Sequence, residues 1–344
     1  MPIPASSTRP AAAAWRRFAR NRTAVAGLAL VVFFLLLAAV GPWVAPHDPL
    51  KQQLDGALAG PSWSHGLGRD ELGRDILSRI LHGVRISLGM ALGASVIAAG
   101  AGVVVGLAAA YRGGAVEEIL MRVVDVILAF PGFLLAIAVV SALGPGIVNV
   151  VVAVGINTIP GFARITHSAA HAIKETEHVA AARALGNSGP RILWRHILPN
   201  CLAPIVVQFT LRMGTVVVIG SGLSFLGLGA QPPSPEWGAM LSTAREYLRT
   251  APHLSLVPGL AILLLVLAWN LLGDGLTEAA DPDDLDGLAE VKGQDPLGPD
   301  LIEPVELEAQ CLEQPREGRS VREHHDRAGP PDGDPDRNEP HTVR

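Results

Sequence analysis

The run "VILAFPGFLLAIAVVSALGPGIVNVVVAVGINTIPGFA", residues 126–163, contains no Asp, Glu, Lys or Arg. A helix that crosses a bilayer needs about 20 mainly apolar residues, so this run is too long for one crossing and long enough for two. Its strongest breaking signal is "LGPG" at 143–146, because Gly leaves the helical region freely and Pro cannot continue the hydrogen-bond ladder. The run therefore predicts two helices, 119–143 and 147–163, joined by a tight turn. Four further charge-free runs, 24–46, 86–111, 197–211 and 254–273, extend the pattern, the third of them continuing through Arg212 to about Leu226. The fold class that follows is an all-α integral membrane protein. Its six transmembrane helices lie near 24–41, 86–110, 119–143, 147–163, 201–226 and 254–274. Composition agrees, since 344 residues that are 49% hydrophobic and 17% charged give a mean hydropathy of +0.35.

The first apolar run exceeds the 7–15 residues of a signal-peptide core, and "VGPWVAPHDP" after it offers no small-residue cleavage site. Orientation follows the basic residues. Arg9, Arg16, Arg17, Arg20 and Arg22 precede the first span, while residues 41–50 carry no Lys or Arg, which places the N-terminus in the cytoplasm. Arg79 and Arg85 argue the other way, but the loop with Arg164, Lys174, Arg183, Arg191 and Arg195 outweighs them. With six spans both termini are cytoplasmic. From Asp281 onward the chain is rich in Asp, Glu, Pro and Gly without apolar periodicity, a composition expected to be disordered. The net charge of -5 comes mostly from that tail and points to no nucleic-acid partner. The cysteines, Cys201 and Cys311, make no disulfide framework.

No stretch matches G-x-x-x-x-G-K-[ST], H-E-x-x-H or C-x-x-C, so neither a phosphate-binding loop nor a zinc centre is expected. His47, His65 and His82 stand at no ligand spacing and read as surface or interface residues, with no metal and no cofactor expected. Gly89, Gly93, Gly100, Gly102 and Gly106 suit close helix packing in the second span. Charge within a span is costly in lipid. Arg122 and Asp125, one turn apart, are expected to pair with each other. Arg212 lies midway along the fifth span and must face water, snorkel or find a partner, which makes it a candidate for a translocation path.

Residues 177–200, "EHVAAARALGNSGPRILWRHILPN", are polar by contrast. They read as a helix of small residues, a stop at Gly186, a turn through Gly189 and Pro190, and a second short helix closed by Pro199. A plain connector needs only about two to eight residues. The stretch resembles the EAA loop of ABC-transporter permease subunits. The whole chain resembles the C-type permease of dipeptide, oligopeptide and nickel importers. The likeness rests on "HGLGRDELGRDILSRILHGVRISL", "YRGG", "MRVVDVILAFPG", "RALGNSGPRILWRHILPN", "LSFLGLGAQPPSPEWGAML" and "NLLGDGL", in that order.

The resemblance implies a permease subunit of an ATP-driven importer, not itself an enzyme, that moves di- or oligopeptides by alternating access. The same type of importer for nickel or another small solute is the alternative. It implies a second homologous permease, two ATP-binding ATPase subunits and an extracytoplasmic solute-binding protein as partners, within membrane lipid. The coupling residues it implies are Glu177, Ala180, Ala181, Ala182, Gly186, Leu198 and Pro199. Ala180 stands where the family carries an acid, with Glu177 one turn earlier. The implied organisation is a cytoplasmic N-terminus (1–23), the first helix (24–41), an extracytoplasmic loop (42–85), a core (86–280) containing the coupling loop 164–200, and the acidic tail (281–344). An intramembrane enzyme would need paired polar groups at membrane depth, which the second and sixth spans lack.

Overall fold

Lipid offers no hydrogen-bond partners, so a spanning chain must satisfy its own backbone, and helices do this within one segment. A computed structural model describes residues 10–280, and among the described residues there are helices and loops but no β-strand. Eleven α-helices follow in order among them: α1 (Pro10–Arg20), α2 (Arg22–Val44), α3 (Ile76–Arg112), α4 (Gly114–Ala129), α5 (Gly132–Leu143), α6 (Ile147–Lys174), α7 (Glu177–Ala184), α8 (Gly189–Ile192), α9 (Leu198–Phe225), α10 (Trp237–Ala244) and α11 (His253–Ala280). Five helical stretches are long and apolar enough to cross a membrane, or six if the bent pair α4 and α5 counts as one. The expected tail, 281–344, lies outside the described residues.

Three expectations are corrected. The helix expected over 119–143 is two helices that meet at 94°. Pro131 lacks an N–H and drives the residue before it out of the helical region; Phe130 is extended (φ -86, ψ 137) and the ladder stops there. The break at 143–146 is also present, with Gly144 at φ +91. The second span begins ten residues early, because Asp75 caps α3 by accepting from the Ser78 N–H at 2.8 Å. Pro199 does not close a helix. A π-type turn at 193–197 carries the chain from α8 into α9, and Pro199 lies just past that turn inside the continuous helical run.

Two apolar clusters hold the helices. The larger joins α2, α3, α6, α9, α10 and α11 around Phe34, Val84, Met213, Trp237 and Leu265. The smaller joins Leu107, Phe162, Val179, Ile192, Ile197 and Cys201 at the end of α3. Of the five glycines expected to pack closely, Gly102 and Gly106 do. A Cβ on them would stand 2.5 Å from the Phe162 Cβ and 2.5 Å from the Ala163 oxygen, so α6 lies directly on α3. Gly89 and Gly100 face open space. At about 1.5 Å per residue, the 37-residue α3 is roughly 55 Å long and carries loops at its start and the α7–α8 hairpin at its end.

Candidate functional site

The hairpin is seated by few residues. Val179 and Ala182, one turn apart on α7, are buried, and Val179 packs into the smaller cluster. Ala182 therefore faces its own chain, correcting the expectation that it lies on the surface offered to a partner. Gly186 adopts φ +77, and its N–H donates to the Arg183 carbonyl at 3.0 Å while the Asn187 N–H donates to Ala182 at 3.3 Å. This pair of bonds is the Schellman stop, which only a residue tolerant of left-handed backbone makes without strain. A Cβ on Gly189 would lie 1.3 Å from the Tyr111 hydroxyl, so a side chain there must push the end of the Tyr111 ring aside. Lys174 Nζ donates to the Ala110 carbonyl at 2.9 Å and caps the end of α3.

The opposite face of the hairpin is left open. Glu177, Ala180, Ala181, Ala184 and Gly186 are exposed, as is Pro199, while Leu198 is half-buried. Leu185 is 83% exposed and Trp194 66%, at positions on one hairpin where a solvated connector would carry polar residues. The sequence singled out the alanines and missed these two. Their signal was present: large apolar residues inside an otherwise polar loop.

Near the hairpin α4 is tied to α6. Asp125 accepts from Arg164 Nη2 at 2.6 Å, not from Arg122, because α6 stands alongside and offers a longer reach than one helical turn does. Eight residues earlier on α4, about two turns back, Glu117 meets His167 Nε2 at 2.7 Å.

Midway along α9, Arg212 lines an open recess with Leu128, Asn157, Thr158, Gly161 and Thr215. Among the described residues the Arg212 side chain makes no hydrogen bond or ion pair. The recess lies beside the α4–α5 bend, since a Cβ on Gly132 would stand 2.6 Å from the Asn157 Oδ1.

The loops at the start of α3 form a buried polar lobe. Asp70 accepts from Arg74 Nε at 2.6 Å and from the Arg74 and Leu72 N–H groups. Arg69 donates to His65 Nε2 at 2.6 Å, so His65 carries its proton on Nδ1 and donates it to Asp75 at 2.8 Å. His47 stacks on His65 with ring centroids 4.5 Å apart, its Nδ1 3.7 Å from Asp75. Two of the three histidines that stood at no ligand spacing, His47 and His65, are thus brought together, and His65 is buried rather than a surface residue. The cluster has the composition of a three-ligand cation site, yet both His65 nitrogens are already engaged by protein groups. Burial pushes the Asp75 carboxyl upward, but hydrogen bonds from the Ser78 hydroxyl, His65 and the Ser78 N–H outweigh it and leave the group below its ordinary value. Nearby, Trp237 is fully buried and donates to the Ile80 carbonyl at 3.2 Å. Glu236 caps α10 by accepting from the Gly238 and Ala239 N–H groups, and burial pushes its carboxyl up.

Residues 102–283 match a family described as binding-protein-dependent transport system inner membrane component. Residues 10–61 match the N-terminal TM domain of oligopeptide transport permease C. The di/tripeptide transport system permease protein DppC of Pseudomonas aeruginosa (strain UCBPP-PA14) is 44% identical over 274 residues, covering 78% of this chain and 90% of that protein. The glutathione transport system permease protein GsiD of Pectobacterium atrosepticum is 48% identical over 269 residues, covering 78% and 89%. A chain of the MetNI methionine ABC transporter, solved facing inward, aligns at 19% identity over 59% of this chain and 97% of that one, with a TM-score of 0.48.

Proposed function

The chain belongs to the binding-protein-dependent transport system inner membrane component family, and on that premise we propose how it works. It is a multi-pass inner-membrane permease of an ABC importer. Its substrate is a short peptide, a reading supported by relatives named for di/tripeptides and for glutathione, itself a small peptide. It hydrolyses nothing itself. Its partners are a second homologous permease, two ATPase subunits on the hairpin side and a binding protein on the lobe side. The N-terminus (1–23) and the hairpin are cytoplasmic, and the loop 42–85 is extracytoplasmic. The spans face lipid with side chains such as Phe33, Leu36 and Leu263, all exposed on the protein surface.

One observation carries the coupling role: a hairpin rigidly seated by Val179, Ala182 and Gly189 turns a small-residue face with Leu185 at its tip away from its own chain. A helix lays such a face into a groove on a partner. Glu177, Ala180, Ala181 and Gly186 then contact the ATPase, Ala182 holds the helix in place, and Leu198 with Pro199 links the hairpin to α9. ATP-driven motion of the ATPases reaches α9 through the helical run that begins at Gly189. It shifts the permease between its two orientations only as far as the partners bind those orientations unequally. Arg212 faces the path.

The test is ATPase co-purification and substrate-stimulated ATP hydrolysis in the full complex carrying Leu185→Asp or Gly186→Val. Loss of stimulation by ten-fold or more, with membrane insertion intact, is expected. Normal coupling in both variants would make the hairpin a connector. Orientation is read separately, in a background lacking Cys201 and Cys311. A cysteine at the exposed Ser64 labels from outside with an impermeant reagent, and one at Leu185 labels only after permeabilisation.

A further inference from the structure

We infer that Arg212, Gln208 and Thr215 of α9, with Asn157 of α6, form a site for the C-terminal carboxylate of the peptide in transit. The inference deepens the peptide-import reading and rests on it. Four polar side chains converge here, and none of them makes a side-chain hydrogen bond or ion pair among the described residues. A guanidinium offers five N–H donors, and two of them match the two oxygens of a carboxylate in a planar fork. Lipid offers no partner for any of them, so a charge at membrane depth needs water, a counter-ion or a ligand. Asp125, the nearby acid on α4, is already held by Arg164 at 2.6 Å. The recess is therefore cationic and rich in neutral hydrogen-bonding groups, and it lacks an anion of its own.

Its shape is built for access. Gly161 leaves space where a Cβ would press on Arg212 Nη2 and Gln208 Nε2, each at 3.2 Å. Asn157 rests against Gly132 at the start of α5, immediately after the extended Phe130 and Pro131. Irregular backbone is not tolerated against lipid, so a bend of 94° within a span must line protein or water. The bend and the unpaired polar groups are adjacent, which identifies this side of α9 as the wet one. Transporters seat charged substrate groups at such broken helices near the midplane. A carboxylate is common to every free peptide whatever its side chains, so this site reads the backbone and leaves sequence unselected.

The test uses the full purified complex with Thr215→Cys as a reporter, in a background lacking Cys201 and Cys311. The readout is the rate of modification by a small water-soluble thiol reagent. A mixture of di- and tripeptides with free C-termini, at millimolar concentration, is expected to slow modification at least three-fold. The same mixture with C-terminal amides is expected to have no effect. Adding Arg212→Gln should abolish the protection, and Arg212→Lys should keep part of it. Equal protection by acids and amides, protection that survives Arg212→Gln, or no protection at all would overturn the inference. So would loss of the second permease from the Arg212→Gln complex, which would assign the guanidinium to the subunit interface. Uptake of the same free peptides into vesicles with the binding protein separates the two readings. Uptake without acid-selective protection rejects this site alone, and absence of uptake rejects peptide import with it.

Discussion

At Ile76 the helix α3 enters a lobe closed by buried charge and an inserted indole, whereas near Arg112 it meets a hairpin held by apolar packing and backbone caps. In the lobe Asp70 and Arg74 are both nearly inaccessible and 2.6 Å apart, and Asp75 gathers His65, Ser78 and His47. On the hairpin the large side chains at Leu185 and Trp194 point outward, and its exposed face makes few side-chain bonds. A buried ion pair is lost heavily if one member goes, so the lobe behaves as one unit. An exposed apolar face gains nothing until something covers it. One end of the helix is closed by its own buried groups, and the other leaves large apolar side chains uncovered.

That contrast is broken most directly at Trp237. Trp237→Ala removes a fully buried side chain and its bond to Ile80, and should cost about 3–5 kcal/mol, seen as a large fall in the unfolding midpoint in detergent. The hairpin counterpart, Leu185→Ala, should change stability by less than about 0.5 kcal/mol while weakening ATPase association. Equal falls in the two variants would erase the distinction.

The seat of the hairpin is probed by Gly189→Ala, whose new methyl collides with the Tyr111 hydroxyl. Overpacking of this kind costs about 1–3 kcal/mol. The double variant Gly189→Ala with Tyr111→Ala should recover part of that loss, and no recovery would place the strain elsewhere. Smaller still is Arg164→Gln. Its bridge to Asp125 is about half exposed on both sides, so it should contribute no more than about 1 kcal/mol and weaken with salt.

The mildest probe is pH. The Asp75 carboxyl is depressed in the folded protein, so its contribution is fully present above the unfolded value of about 3.9 and drains away as pH falls through the lower folded value. Protection of the Ser78 amide, which Asp75 holds, measured as its exchange rate relative to an unstructured peptide at the same pH, should persist down to about pH 4 and fall below it. Protection lost already between about pH 7 and 5 would mean that Asp75 does not hold the lobe.

Much of this was legible in the chain. The charge-free runs located the five long apolar helices among the described residues, and "LGPG" marked a true break. "FPG" at 130–132 carried the same breaking chemistry, yet it sat inside an apolar run, where hydropathy registers no interruption. Gly186 was read correctly as a left-handed stop, because that requirement is local to one residue. The four alanines of α7 look alike in sequence; only the rotation of the helix buries Ala182 and leaves Ala180, Ala181 and Ala184 exposed.

The sequence by itself determined that this is a helical membrane protein, since the length and apolarity that lipid demands are summed over neighbouring residues. It also displayed, in a few ordered stretches, the likeness to importer permeases. Tertiary structure alone decided which polar groups meet: Asp125 with Arg164, and His47 with His65 at Asp75. These partners sit on different helices or loops, and their meeting depends on how each helix is turned about its axis. Burial summed along the chain is indifferent to that angle, whereas a hydrogen bond of under 3 Å is not.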